Sequence, residues 1–318
     1  MAIQLLKHSI FLALMVGLVG CEKWADGVVR EIDFPEHTPQ LAATVNLFAG
    51  DTKAIAALHQ TASTLDANDA VIPEGITARI EKEGDVLLSW TPSDTALVGT
   101  DWDSRTMHVL DLSAPLALPE GELDLVVEAP GFEPLTATAV QPPAPICTVG
   151  FEEGADTTFD FGDPVVVDRF ELDVLNRPGI RDVYGIQLHE GYVYAPGDTT
   201  WQLVGIGDDD SDLEPRTTFN QACYCLLLDD QGLDAQSLED VFIDRKRWVG
   251  WYGEPEGGDV LRMKVVLMDE PLAQFYRSLE THWETQDSFF ANPSSIYSNT
   301  STGYGIFGLG SSVEFFWE

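Results

Sequence analysis

Apolar and polar residues alternate in short runs from Gln40 to about Pro145. The runs lie at 42–48, 75–80, 86–90, 107–112, 123–128 and 137–140, and turn residues such as Pro130-Gly131 separate them. In an extended strand every second side chain shares a face. Val45, Leu47, Ile76, Ala78, Ile80, Leu123, Leu125 and Val127 are therefore expected to point inward. Short strands at this spacing predict an all-β sandwich over residues 40–140. It is followed by Gln141-Pro142-Pro143-Ala144-Pro145. Prolines cannot donate ladder hydrogen bonds and favour an extended chain, so 141–146 is expected to be a linker and 147–318 a second domain.

That second part opens with strand-like runs at 165–174, 183–189, 201–206, 222–228, 241–243 and 259–267, with acidic and Gly-rich stretches between them. One helix is expected after them. Asp269 can cap it, Pro271 is tolerated in its first turn, and Leu272, Phe275, Tyr276, Leu279 and Trp283 recur at helical spacing. That stripe reads as core. No unit of roughly 20 to 50 residues repeats, which disfavours solenoids and propellers. The fold class expected is mainly β: an N-terminal sandwich plus a C-terminal β-rich domain with one amphipathic helix.

The first 21 residues follow a different pattern. Lys7 precedes an apolar run over 10–19, and Leu18-Val19-Gly20-Cys21 comes next. The run is too short for a span, which needs ~20 apolar residues. A positive n-region, a short apolar run and a small residue before Cys read as a lipoprotein signal, 1–20, cleaved before Cys21. Acylation of Cys21 would then anchor the protein to a membrane through a lipidated tether, 21–39. Each buried CH₂ adds ~0.8 kcal/mol, so several acyl chains hold where one does so only marginally. The competing reading is an ordinary signal peptide with a chance cysteine.

Composition narrows the partners. Forty-four per cent apolar residues suffice to fill the cores, and no second apolar run reaches transmembrane length. The net charge is −36, and loss of Lys7 makes it one unit more negative. Such a field repels phosphates, which excludes a nucleic acid partner. The acidity reads as a solvated surface, or as cation binding where ligands cluster. Asp208, Asp210 and Asp212 cluster in a Gly-flanked stretch that could hold calcium, although it lacks the Gly and Glu of an EF-hand.

Besides Cys21 there are three thiols, Cys147, Cys223 and Cys225. They are candidates for a disulfide in an exported, oxidising setting. Cys223 and Cys225 are expected to share one face of a strand and not to bridge each other easily, leaving Cys147 to pair with either. Free buried thiols or a zinc site are the rival readings, the latter without a CxxC pair or a neighbouring His.

No HExxH, Walker A loop or nucleophile elbow occurs, so no catalytic residues are assigned. Gly303-Tyr304-Gly305-Ile306-Phe307-Gly308 is a literal GxGxxG, but only ten residues follow it, too few for the acidic partner of a dinucleotide fold. Its glycines read as permitting close backbone approach in a β-turn or bulge. His37, His59, His108, His189 and His282 are scattered. Trp201, Trp248, Trp251, Tyr252 and Trp283 could supply glycan or peptide contacts, or fill cores.

The C-terminal third carries a resemblance. Val265-Val266-Leu267, Phe275-Tyr276 and Leu279, then Phe289-Phe290-Ala291-Asn292-Pro293, Ile296-Tyr297-Ser298-Asn299 and the Gly303–Gly308 stretch follow in order. Together they resemble the domain of unknown function 4249 family of Bacteroidota lipoproteins, whose ending has the form F-x-x-P…SN…G-x-G-I-F-G. The Gly131-Phe132 turn, Asn176-Arg177-Pro178-Gly179 through Tyr184, and Val241-Phe242-Ile243-Asp244 before Gly250 fit the same pattern; Thr300-Ser301-Thr302 departs from it. The resemblance implies an outer-membrane lipoprotein with an Ig-like or transthyretin-like N-terminal domain and a β-rich C-terminal domain. Members are often encoded near TonB-dependent receptors. The expected function is thus non-enzymatic: an accessory or substrate-binding partner of a TonB-dependent transporter in nutrient uptake, on either leaflet. Alternatives are a surface adhesion or glycan-binding lipoprotein, whose mark would be exposed Trp248 and Trp251, and an envelope hydrolase.

Overall fold

Alternating apolar positions become strands along most of the chain, as the computed structural model shows. It describes residues 37–62, 71–91, 96–100, 103–160, 163–195, 198–204, 217–220, 223–230, 237–249, 258–286 and 294–318. The strands of the first half are β1 (Leu41–Ala49), β2 (Lys53–Gln60), β3 (Thr77–Lys82), β4 (Asp85–Trp90), β5 (Ala96–Thr100), β6 (Asp103–Asp111), β7 (Gly121–Glu128) and β8 (Leu135–Gln141). Then come β9 (Cys147–Asp160), β10 (Asp163–Val174), β11 (Val183–Ala195), β12 (Asp198–Val204), β13 (Thr217–Asn220), β14 (Cys225–Asp229), β15 (Leu238–Trp248) and β16 (Val260–Met268). The helix α1 (Glu270–Gln286) and the strand β17 (Tyr304–Trp317) close the chain. The fold is mainly β.

Among the described residues the strands form three sheets. The largest has ten strands in the order β13-β14-β11-β16-β17-β1-β2-β6-β5, with β12 pairing beside β11. A four-stranded sheet runs β4-β3-β7-β8, and a three-stranded one runs β15-β10-β9. The four-stranded sheet packs Ile76, Ile80, Leu123, Leu125, Val127 and Leu135 against Val45, Leu47, Leu58, Phe307 and Leu309 of the large sheet. The three-stranded sheet packs Phe170, Leu172, Val241 and Ile243 against Tyr184, Ile186, Leu188, Met263 and Val265. All eight residues expected to point inward in the first half are at most 2 % exposed.

Strand β17 lines both cores. By the two-residue period its odd positions share a face: Phe307 and Leu309 enter the first core, while Val313, Phe315 and Trp317 pack on the second. Its even positions face α1, whose Phe275 and Leu279 bury Ile306. Leu272 and Ala273 of the helix cover Val183, Leu227, Val266 and Met268 on the same side. Both small sheets thus cover one face of the large sheet, and the helix covers part of the other.

The expected partition at 141–146 needs correction. Residues 39–318 form one compact unit, because β1 pairs in parallel with β17 from Ala42 opposite Tyr304 to Ala49 opposite Ser311. The Pro-rich segment crosses the large sheet between the two cores. There Gln141 Nε2 donates to the Gly310 carbonyl at 2.9 Å and to Ser311 Oγ at 2.7 Å, and Ser311 Oγ donates to the Pro142 carbonyl at 2.7 Å. The sheet stays continuous past this segment because 304–317 is a central strand, although its opening glycines, Gly303 to Gly308, were expected in a β-turn or bulge. Its glycines do permit the close approach foreseen for them. Gly303 and Gly305 have φ of +66° and +135° and lie against the Leu41 and Ala43 carbonyls. A Cβ on Gly308 would come within 2.8 Å of Leu272 Cβ.

The helix begins as expected. Asp269 Oδ1 accepts the Leu272 N–H at 3.0 Å, an N-cap bond. Burial pushes its carboxyl up to about 7, against the pull of the backbone N–H groups it accepts. A raised folded pKa means that the folded state holds the proton more tightly than the unfolded chain. Asp269 therefore destabilises the fold increasingly as pH rises from about 4 to 7. Asp269→Asn keeps a capping oxygen without the charge. In guanidinium titrations it should flatten that slope and be roughly 2 kcal/mol more stable than the parent at pH 8, with no gain at pH 4.

Candidate binding surface

Beyond the helix, the same face of the large sheet carries a cross-strand row of four residues. Leu203 of β12 stands opposite His189 of β11, His189 opposite Arg262 of β16, and Arg262 opposite Phe316 of β17. Opposed residues in antiparallel strands share a face, so the four side chains line up across the strands. The sequence explains the arrangement: in β16, Leu261, Met263 and Val265 fill the second core, which turns Arg262 and Lys264 to the other side.

Trp201 completes the row from the next register position. It stands opposite Gly191, where a Cβ would sit 2.9 Å from Trp201 Cζ3. The missing side chain makes room for the indole. The Arg262 guanidinium lies 4.6 Å from the Trp201 ring centroid, and Phe316 meets the indole edge-on at 6.1 Å. A guanidinium over an indole face is attractive by about 0.5–2 kcal/mol. Glu314 lies 3.6 Å from Arg262, and Lys264 pairs with Asp51 at 2.6 Å. Phe316 remains 60 % exposed, Leu203 at the other end of the row is exposed, and so is Val193 beside it.

His189 is neutral at pH 7. Burial, then the charges of Arg262 and Lys264, lower its pKa to about 4, and its Nδ1 makes no hydrogen bond. The row is thus an aromatic and aliphatic strip braced by paired charges. It can take up a flat apolar or sugar-like surface, or a partner's side chains.

Behind it, between the large and three-stranded sheets, lies a buried ionic network. Asp168 accepts the Gly154 N–H at 2.9 Å, Arg245 at 2.9 Å and Arg247 at 2.7 Å. Arg245 Nε reaches Glu190 at 2.8 Å, and Tyr192 donates to Glu190 at 3.1 Å. This network fixes β10 and β15 to β11, the strand that carries His189. The described chain also has a hollow of about 290 Å³ near Cys147, Asp173 and Asp240.

No family model matches the sequence, and no curated protein does. Among solved structures, the chain is similar to the three N-terminal domains of the bacteriophage RB49 highly immunogenic outer capsid protein (Hoc). The identity is 8 %, the TM-score 0.21, and the match covers 73 % of this chain and 64 % of that one. The chain therefore spans just under two thirds of that structure's length, and so weak a likeness carries no argument.

Of the aromatic residues singled out in the sequence, Trp201 joins the row. Trp248 lies on the three-stranded sheet, 41 % exposed. Trp283 packs beside Phe275 and Leu279. Trp251, Tyr252, Cys21 and the acidic trio Asp208, Asp210 and Asp212 lie outside the described residues. Among the described residues no group of three or more His, Cys, Asp or Glu could hold a metal ion, and no helix is long and apolar enough to cross a membrane. His282 Nδ1 is 2.7 Å from the Ser294 carbonyl, and burial lowers the pKa of both His59 and His108.

The thiol expectation is corrected. Cys223 and Cys225 form a disulfide, and Cys147 is free. The strand starts only at Cys225; Cys223 and Tyr224 form a turn in which Tyr224 has φ of +47°. That left-handed residue swings the two cysteines together, to a Cα separation of 5.2 Å, within bridging range. Sequence reasoning also passed over Arg262 and Phe316. The period-two Leu261-Arg262-Met263-Lys264-Val265 was the available signal for Arg262, since two cations on one strand face imply an uncovered surface.

Proposed function

We propose that this protein is a lipid-anchored envelope lipoprotein that binds its target without converting it, as the accessory partner of an outer-membrane, TonB-dependent transporter in nutrient uptake. The single observation that carries the binding part is the Trp201–Arg262–Phe316 row, in which Trp201 is half-buried while Phe316, Leu203 and the neighbouring Val193 are exposed. An exposed apolar strip on an otherwise highly acidic chain is what a docking or ligand surface requires. The anchor and the transporter rest on the Cys21 signal and on the resemblance to the Bacteroidota lipoprotein family. Exposed Trp248 and Phe242 on the three-stranded sheet favour a second reading, a glycan-binding lipoprotein.

Pull-down from detergent-solubilised membranes tests the first reading. The parent chain should bring down a transporter, and Trp201→Ala combined with Phe316→Ser should lower the recovery about tenfold or more, the size of one to two lost hot-spot side chains, while thermal unfolding stays close to the parent's. Recovery of no transporter, or equal recovery with the variant, would contradict it. Retention on a glycan array that Trp248→Ala abolishes would support the second reading instead.

A further inference from the structure

The Cys223–Cys225 disulfide is poorly suited to be a structural staple. Cross-linking stabilises a fold by restricting the unfolded chain, and the gain grows with the length of the closed loop. Here the loop holds one residue, Tyr224. That residue sits at φ +47°, a left-handed conformation that bulky L side chains rarely adopt, and it is exposed. Cys225 is buried in the core beneath the helix, whereas Cys223 is only half-buried, so Cys223 is the less covered of the two cysteines. The turn is nonetheless held in place. Asn220 Oδ1 accepts the Cys223 N–H at 3.1 Å while its Nδ2 donates to the Tyr276 carbonyl of α1 at 3.1 Å. Gln187 Nε2 donates to the Cys223 carbonyl at 3.0 Å. With its backbone tied on both sides, the turn can open its sulfur bridge without releasing the strand.

We propose that Cys223–Cys225 is a thiol–disulfide exchange site, opened and closed in the folded protein by a partner protein's dithiol of the CxxC class. A thiolate of the partner attacks Cys223 Sγ and forms a mixed disulfide as the Cys223–Cys225 bond breaks. Cys225 leaves as a thiolate and takes a proton. The partner's second thiol then attacks the partner's own sulfur in the mixed disulfide and releases Cys223 as a thiol. The partner dithiol ends as a disulfide, and the Cys223–Cys225 pair has gained two electrons and two protons. Reduction frees Tyr224 to leave the left-handed region, so the backbone strain favours opening. Cys147 stays outside the exchange, since burial pushes its thiol up to about 11 and leaves almost no thiolate at neutral pH.

The full-length protein, equilibrated in glutathione redox buffers with and without a thioredoxin-type dithiol protein, then alkylated and mapped by mass spectrometry, provides the test. Cys223 and Cys225 should become alkylated together at glutathione ratios that leave structural disulfides closed, with the circular dichroism spectrum unchanged, and the dithiol protein should speed the approach. Tyr224→Gly removes the strain and should shift the equilibrium about fivefold toward the disulfide. A pair that opens only when the protein unfolds, or that is already two free thiols in protein trapped by alkylation at lysis, would overturn the proposal. An equilibrium unmoved by Tyr224→Gly would overturn it as well.

Discussion

Gly305→Ala should leave the chain unable to keep its large sheet intact. Gly305 pairs with Ala43 at φ +135°, and an added Cβ would fall inside the Ala43 carbonyl group. The obstacle is backbone, so no side-chain rotation relieves it. The strand would have to separate from β1 at the seam that joins the two halves of the ten-stranded sheet. Steric overlap and an unfavourable φ together place the expected cost at about 4 kcal/mol or more, a large share of the ~5–15 kcal/mol that holds a typical domain. Soluble yield should collapse, or the guanidinium midpoint fall steeply. Gly84→Ala is the control. Gly84 also has positive φ, +90°, but no atom lies within 4 Å of the added carbon, so it should cost only about 1–2 kcal/mol. Equal losses in the two variants would show that the seam does not depend on close approach.

Arg245→Met should cost about 3–5 kcal/mol in guanidinium unfolding. The side chains of Arg245 and Asp168 are 3 % and 0 % exposed, so neither partner can fall back on water. Removing the guanidinium strips Asp168 of one of its two cations and leaves Glu190 with the Tyr192 hydroxyl. The loss is large because the charges left behind stay buried; it does not measure the net worth of the pair. Lys53→Ala removes a cation from an exposed pair with Asp111 and should change stability by no more than about 0.5 kcal/mol. Similar effects of the two substitutions would mean that water reaches the Asp168 network.

Much of this architecture was legible where one physical signal dominated. Val45, Leu47, Ile80 and Leu125 follow the two-residue period and are buried, and Asp269 with the Leu272–Trp283 stripe marked the helix and its cap. The misses have local causes. Strand β17 carries Gly305, Gly308 and Gly310, which lower strand propensity, and their purpose becomes visible only once Ala43, Leu272 and Phe48 are brought against them. Strand β9 is an edge strand rich in Glu and Asp, which discourages edge-to-edge pairing but hides the apolar period. Without β17 as a strand, the prolines at 142, 143 and 145 looked like a boundary. The candidate row was hidden for a related reason: Leu203, His189, Arg262 and Phe316 come from four strands, and only the register brings them together.

The proposed function depends most on the sulfur of Cys21, because only attachment to a membrane would place the Trp201–Arg262–Phe316 row within reach of an envelope partner. Mass spectrometry of the protein from native membranes reads that sulfur directly. Removal of residues 1–20 and a diacylglyceryl thioether on Cys21 are the predicted result; a chain that still begins at Met1, or a mature chain with an unmodified thiol at Cys21, would contradict it.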